Sequence, residues 1–204
     1  MLNSDFAILG ACLGFSANLI YAAATWRGSI VPNRVTWYLW TAIPLIIFAA
    51  SESENAGLPS LFSLAAGLGP AVVVLVILVR RRASYWKITR LDVCCGVLSL
   101  VAIGLWVSTR DGDYAIALSL AADLAAAFPT LVKAYKEPSS ESATAYVLYM
   151  VGAVVVLLAT KKLTTANSAF PLYAAILYFS LSFLIISRRA LALKQTDRLA
   201  PRKA

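Results

Sequence analysis

The sequence predicts an all-α integral membrane protein, with seven transmembrane helices arranged as two parallel three-helix repeats joined by a linker helix. Three observations predict it. Hydrophobic residues make up 60% of the 204-residue chain and charged residues only 14%, a composition outside the range of soluble domains. Apolar stretches of about 20 residues, enough to cross a hydrocarbon layer of roughly 30 Å as helix, recur with polar punctuation between them. The chain also matches itself at a fixed offset, the signature of an internal repeat.

The spans follow in order. The first covers Phe6 to Thr25, and the residues before it, "MLNSD", carry Asp5 and no Lys or Arg, so it reads as a permanent span rather than a signal peptide. The second covers Val35 to Ala50, the third Leu61 to Val79, the fourth Leu91 to Thr109 and the fifth Tyr114 to Tyr135. Ala143 to Thr160 and Phe170 to Ser187 complete the set. All are continuously apolar, whereas barrel strands would alternate, so helices are expected. The resulting organisation is a first three-helix repeat at 1–82, a linker with the fourth helix at 83–112, a second repeat at 113–190 and a basic tail at 191–204.

Lys and Arg accumulate on the cytoplasmic side of membrane proteins, and here 15 fall on one side against 3 (Arg110, Lys161 and Lys162) on the other. A multi-pass protein of the cell (inner) membrane is expected, with its N-terminus outside and its C-terminus cytoplasmic. The net charge of +8 is spread over every inner loop and the tail, so topology accounts for it and no nucleic-acid partner is expected. Cys12, Cys94 and Cys95 fall within spans and read as small packing residues.

Residues 5–82 laid without gaps on 113–190 superpose helix on helix at an offset of 108. Asp5 meets Asp113, Thr36 meets Thr144, Tyr38 meets Tyr146, Phe62 meets Phe170, and the pair Arg80 and Arg81 meets Arg188 and Arg189. "SDFAI" opens one unit and "GDYAI" the other. With one helix between them the units cross the membrane in the same direction, an arrangement used by transporters whose substrate site lies between units near the midplane.

The run "FPTLVKAYKEPSSESATAYVLY" resembles the PQ-loop motif, a Pro-Gln pair near a helix end followed by a basic loop containing Ser and Glu. "IYAAATWRGSIVPNRVTWYLW" resembles a degenerate first copy. With its three-one-three order the chain is similar to PQ-loop and SWEET-like (MtN3-type) transporters, and most of all to their small bacterial seven-helix members. Thr130 stands where the motif has Gln. The resemblance implies hinge prolines, and Pro129 and Pro44 fit, while Tyr21 and Gly152 stand at the matching positions of the other unit. Where SWEET proteins place a sugar-binding Asn in the third helix, this chain has Pro70 and Tyr178, so the resemblance implies a carrier without assigning sugar.

The residues themselves single out Asp123. It lies nine residues after Tyr114, about 14 Å along a helix and thus near mid-bilayer. A charge there costs about 2.5–3.5 kcal/mol on insertion scales. It should therefore face the bundle interior and find a partner or hold a proton, either as a substrate ligand or as a group tying helices together. Asp123, Ala126, Ala127 and Thr130 share one helix face, which reads as a cavity wall or a close helix contact. Asn18 is the expected polar partner across the pseudo-axis. Trp37 is expected at the membrane interface, while Trp40 and Thr41 lie deeper and, with Tyr146 and Tyr149, are positioned to stack on and hydrogen-bond a solute. Pro44, Pro70 and Pro129 remove helix hydrogen bonds and permit hinges.

The expected function is a carrier of a small polar solute working by alternating access between the two units, proton-linked through Asp123. The alternative is a non-transporting receptor, sorting or scaffold protein on the same fold. Substrate-binding candidates are Asp123, Asn18, Trp40, Thr41, Tyr146, Tyr149 and Tyr178. No enzyme activity, metal or cofactor is expected. The chain has no histidine, and its seventh span has no Lys to form a retinal Schiff base. The expected partners are the solute and the lipid bilayer, and a homo-oligomer is left open.

Overall fold

Apolar stretches in a hydrocarbon layer must satisfy every backbone N–H and C=O internally, and a helix does so within one segment. A computed structural model describes residues 2–80 and 111–199 together with isolated helical positions between 90 and 109. The described chain forms α1 (Phe6–Arg27), α2 (Arg34–Ser53), α3 (Leu61–Val79), α4 (Gly112–Lys136), α5 (Ala143–Ala159) and α6 (Phe170–Leu199). No strand occurs among the described residues. The fourth expected span, Leu91 to Thr109, lies largely outside them, and with it the linker of the three-one-three order.

Among the described residues five helices are long and apolar enough to cross a membrane: α1, α2, α3, α4 and α6. The sixth, α5, is equally apolar but only 17 residues long. Their outward faces are apolar too: Leu75, Leu124, Phe128, Ile176, Phe179 and Phe183 are all exposed. Helices apolar on every side are compatible with a membrane protein. Cys12 is on this outer surface rather than packed inside.

Local chemistry sets the helix ends. Gly28 closes α1 in the left-handed region (φ 75°), where its N–H reaches the Ala24 and Thr25 carbonyls. Side chains of Asn33, Asp111 and Ser142 accept backbone N–H groups at the starts of α2, α4 and α5. Lys133 and Lys136 occupy the last turn of α4, where cations complement the helix dipole.

In packing, α3 contacts both α1 and α2, while α6 contacts both α4 and α5. The two triplets join where α1 runs along α5 and α2 along α4. Small residues make the first seam close: a Cβ on Gly152 would lie 2.7 Å from the Gly10 carbonyl oxygen. At the second seam the Thr36 hydroxyl donates to the Ala126 carbonyl at 3.1 Å, and Thr130 donates to Thr36 Oγ1 at 3.3 Å. The Ala126–Thr130 stripe is therefore a helix contact with α2, not a cavity wall. Further along the seam, the Gly112 N–H donates to Glu54 at 3.0 Å. The rings of Phe62 and Phe170, which coincide at the 108-residue offset, face each other across the two triplets with centroids 5.8 Å apart.

The bundle thus has a basic end, where Arg80 lies over the Trp26 ring and Arg188 bonds the Tyr135 carbonyl, and an acidic end at Glu52, Glu54 and Asp111. Gly152→Ala should force α1 and α5 apart and lower stability by about 1–3 kcal/mol. Unfolding of the purified variant in detergent checks this, with Gly28→Ala separating backbone strain from crowding, since a Cβ at Gly28 meets nothing within 4 Å.

Candidate functional site

Pairs of residues three apart put their side chains on one helix face, and four helices use this spacing or a single ring to line one central chamber. α1 contributes Asn18 and Tyr21 beside Ala17, α2 contributes Trp37 and Trp40, α5 contributes Tyr146 and Tyr149 beside Ala145, and α6 contributes Tyr178. The rings form a continuous network. Tyr178 lies 4.2 Å from Tyr149, 5.8 Å from Tyr146 and 6.0 Å from Trp40, while Trp37 lies 4.3 Å from Tyr21 and 5.4 Å from Trp40. The space left for water centres is about 10 Å³, room for about one molecule. In this conformation the chamber is closed.

Its polar groups are unevenly satisfied. Asn18 Nδ2 donates to the Gly14 carbonyl at 2.9 Å, and its amide fits only because position 69 is glycine, where a Cβ would lie 2.5 Å from Nδ2. Trp40 Nε1 is buried with no acceptor, although buried indoles usually find one. Flat apolar walls with an idle donor suit a small solute that offers both a face and an acceptor.

Asn18, Trp40, Tyr146, Tyr149 and Tyr178, all expected from the sequence, meet here. Thr41 and Asp123 do not line the chamber. The Thr41 hydroxyl turns back to the Trp37 carbonyl at 2.9 Å. Asp123 is 2% exposed and accepts from the Tyr173 hydroxyl at 2.7 Å through Oδ2, while Oδ1 has no partner. Its partner is thus a phenol of its own triplet and not the expected Asn18, whose Nδ2 donates to the Gly14 carbonyl instead. Trp37, expected in an interfacial belt, is 2% exposed because its ring packs on Tyr21. Pro44, Pro70 and Pro129 all lie inside helices, where each removes a backbone donor.

Sequence reasoning missed the group beneath the chamber. Glu141, between α4 and α5, is 1% exposed. Its Oε2 accepts the hydroxyls of Tyr21 and Tyr146, both at 2.8 Å, and its Oε1 pairs with Lys133 Nζ at 2.9 Å. Lys133 also donates to the Val31 carbonyl, and the Val31 N–H donates to the Ser140 carbonyl at 3.3 Å. Arg189 completes the closure through the Glu141 and Pro138 carbonyls at 2.6 and 3.1 Å. One carboxylate therefore ties α1, α4 and α5 together and shuts the chamber's basic end. A signal existed: the 108-residue offset pairs Glu141 with Asn33, the residue that caps α2. At the acidic end an open depression of about 390 Å³ lies between Asn55–Pro59 and Ala159–Lys162.

Tyr21→Phe deletes one charge-assisted bond to Glu141 and should cost about 1.5–3 kcal/mol. With Tyr146→Phe in a double-mutant cycle the two losses should be non-additive by at least about 0.5 kcal/mol, read by unfolding of the purified variants. Additive, near-zero effects would show that the phenols do not hold the carboxylate.

No protein-family model matches the chain, nor does any curated protein or solved structure, so the geometry of the chamber and its closures must carry the function.

Proposed function

We propose that the chain is a membrane carrier that moves a small polar solute by alternating access between two three-helix units. The observation that carries this is the aromatic chamber: it is built from both triplets at their seam, it holds an indole donor that packing does not use, and it is closed at the basic end by hydrogen bonds rather than by apolar packing. A closure of hydrogen bonds between separate elements is reversible at modest cost, whereas a fused apolar core is not.

The two-unit reading has support in the packing. Each triplet places its third helix against its first and second, and the seams run in matching register, with Gly10 beside Gly152 in one and Gly112 beside Ala50 in the other. Phe62 against Phe170 is what a pseudo-two-fold axis between the units produces. On this reading the segment Leu91 to Thr109 is the linker span, giving seven helices in three-one-three order, and the chain resembles the PQ-loop and SWEET-like carriers. The basic end is cytoplasmic, by the excess of Lys and Arg there. Pro44, Pro70 and Pro129 supply compliance within α2, α3 and α4, and Asp123 links movement to a proton.

A second reading, a receptor or scaffold that transports nothing, is favoured by the chamber's small free volume. Uptake by proteoliposomes separates the two. A solute-panel stability screen on purified protein identifies candidates, and uptake of a hit should be lost, or lose its pH dependence, in Asp123→Asn while the variant still folds. Uptake in Asp123→Asn with unchanged rate and pH profile would remove Asp123 from the mechanism, and a panel in which nothing is taken up would favour the scaffold.

A further inference from the structure

Four buried side-chain atoms among the described residues lack any hydrogen-bond partner: Trp40 Nε1, Ser51 Oγ, Ser119 Oγ and Asp123 Oδ1. Two of them, Ser119 and Asp123, are four residues apart on α4 and so lie one above the other on a single face. Both are almost wholly buried, at 0% and 2% exposure.

Ser119 departs from its peers. Hydroxyls on buried helix faces satisfy themselves on the carbonyl one turn back, and Thr25, Thr160 and Ser182 do so here through Tyr21, Val156 and Tyr178 at 2.8–3.0 Å. Ser119 does not take the Ala115 carbonyl.

Asp123 is also unbalanced in charge. Glu141, the other buried acid among the described residues, has a lysine and two phenols, whereas Asp123 has only the Tyr173 hydroxyl. A proton on Oδ1 would discharge the carboxylate but could donate to only one neighbouring oxygen. A water would offer a hydrogen bond but leave the charge. A cation at Oδ1 meets both needs.

A third oxygen lies at the same level. α2 and α4 run antiparallel, anchored by Thr36 on Ala126, so Trp40, one turn beyond Thr36, is level with Asp123, just under one turn beyond Ala126. Pro44 has no N–H, so it withholds the bond that would ordinarily occupy the Trp40 carbonyl.

We propose that Asp123 Oδ1 and Ser119 Oγ form the seat of a monovalent cation, with the Trp40 carbonyl as its third oxygen ligand. Oxygen donors of this kind suit hard cations. One carboxylate balances one positive charge, and a divalent ion would leave an excess buried. The described residues contain no cluster of three His, Cys, Asp or Glu side chains to hold a transition metal. The occupant is an alkali ion or an ammonium group carried by a solute. The seat deepens the carrier reading, in which the cation and the proton exchange at Asp123; binding itself does not require transport.

The test is thermal unfolding of the purified full chain at fixed, mildly alkaline pH, titrated with sodium, potassium or methylammonium chloride. N-methylglucamine chloride keeps ionic strength constant and serves as the bulky reference cation. A ligand that binds only the folded state raises the unfolding midpoint saturably. The wild type should show such a rise with at least one of the three salts over N-methylglucamine. Response to an alkali ion alone identifies an inorganic occupant, and response to methylammonium alone identifies a solute ammonium. Asp123→Asn should abolish the rise, and Ser119→Ala should weaken apparent affinity by about tenfold or more. Ser119→Ala removes a hydroxyl with no partner and should fold, so it decides the matter if Asp123→Asn does not. No cation-specific rise in the wild type, or an equal rise in Ser119→Ala, overturns the proposal. Cation binding without uptake in proteoliposomes would leave the seat standing and fail only the carrier.

Discussion

Glu141 carries a negative charge at a position almost sealed from solvent, and that condition orders everything around it. A buried carboxylate is tolerated only when its oxygens are occupied by donors and its charge is met. Meeting both requirements fixes the Tyr21 and Tyr146 hydroxyls, draws Lys133 inward and holds the Val31 and Ser140 backbones side by side. Once those phenols are fixed, their rings become two walls of the chamber, and Trp37 is trapped against Tyr21. Remove the carboxylate and the phenols lose their acceptor, the lysine loses its counter-charge and the basic end loses its closure.

The same bundle treats its two buried acids in opposite ways. Glu141 is saturated with donors and has a structural, closing role in this conformation. Asp123 sits deeper with one donor and one vacant oxygen. A site fully satisfied in one conformation is a lock, whereas an unsatisfied one has affinity left for something else. On the proposed reading the lock holds the basic end while the unsatisfied acid awaits its occupant.

Much of the fold was legible because hydropathy marks apolar helices: α1 to α6 begin within two residues of the predicted apolar runs, with Asn33, Asp111 and Ser142 at starts where their capping chemistry belongs, although α6 runs past the expected Ser187 to Leu199, into the expected basic tail. The chamber was half legible. Asn18, Trp40, Tyr146 and Tyr149 stand out as polar or aromatic residues at one-turn spacing inside apolar runs. The rest depended on which face each helix turns inward, and helices apolar all round carry almost no such signal. That is why Trp37 read as an interfacial residue and why Tyr173, on a helix rich in rings, did not announce itself as the partner of Asp123. Glu141 was hidden for a different reason, since an acid in a loop of Ser, Pro and Lys looks solvated until the fold closes over it.

The central claim is that two triplets move as units around the chamber, opening one end as the other closes. Distances between spin labels test it most directly, with the exposed Cys12 replaced, and the other native cysteines with it, to keep labelling specific. One pair, at Ser29 and Ser139, spans the basic end, and another, at Ser53 and Leu163, spans the acidic end, all at exposed positions. In nanodiscs, Glu141→Gln should lengthen the first distance and shorten the second relative to the unsubstituted background. Two single, unchanged distances in both backgrounds would contradict the account and describe a rigid bundle.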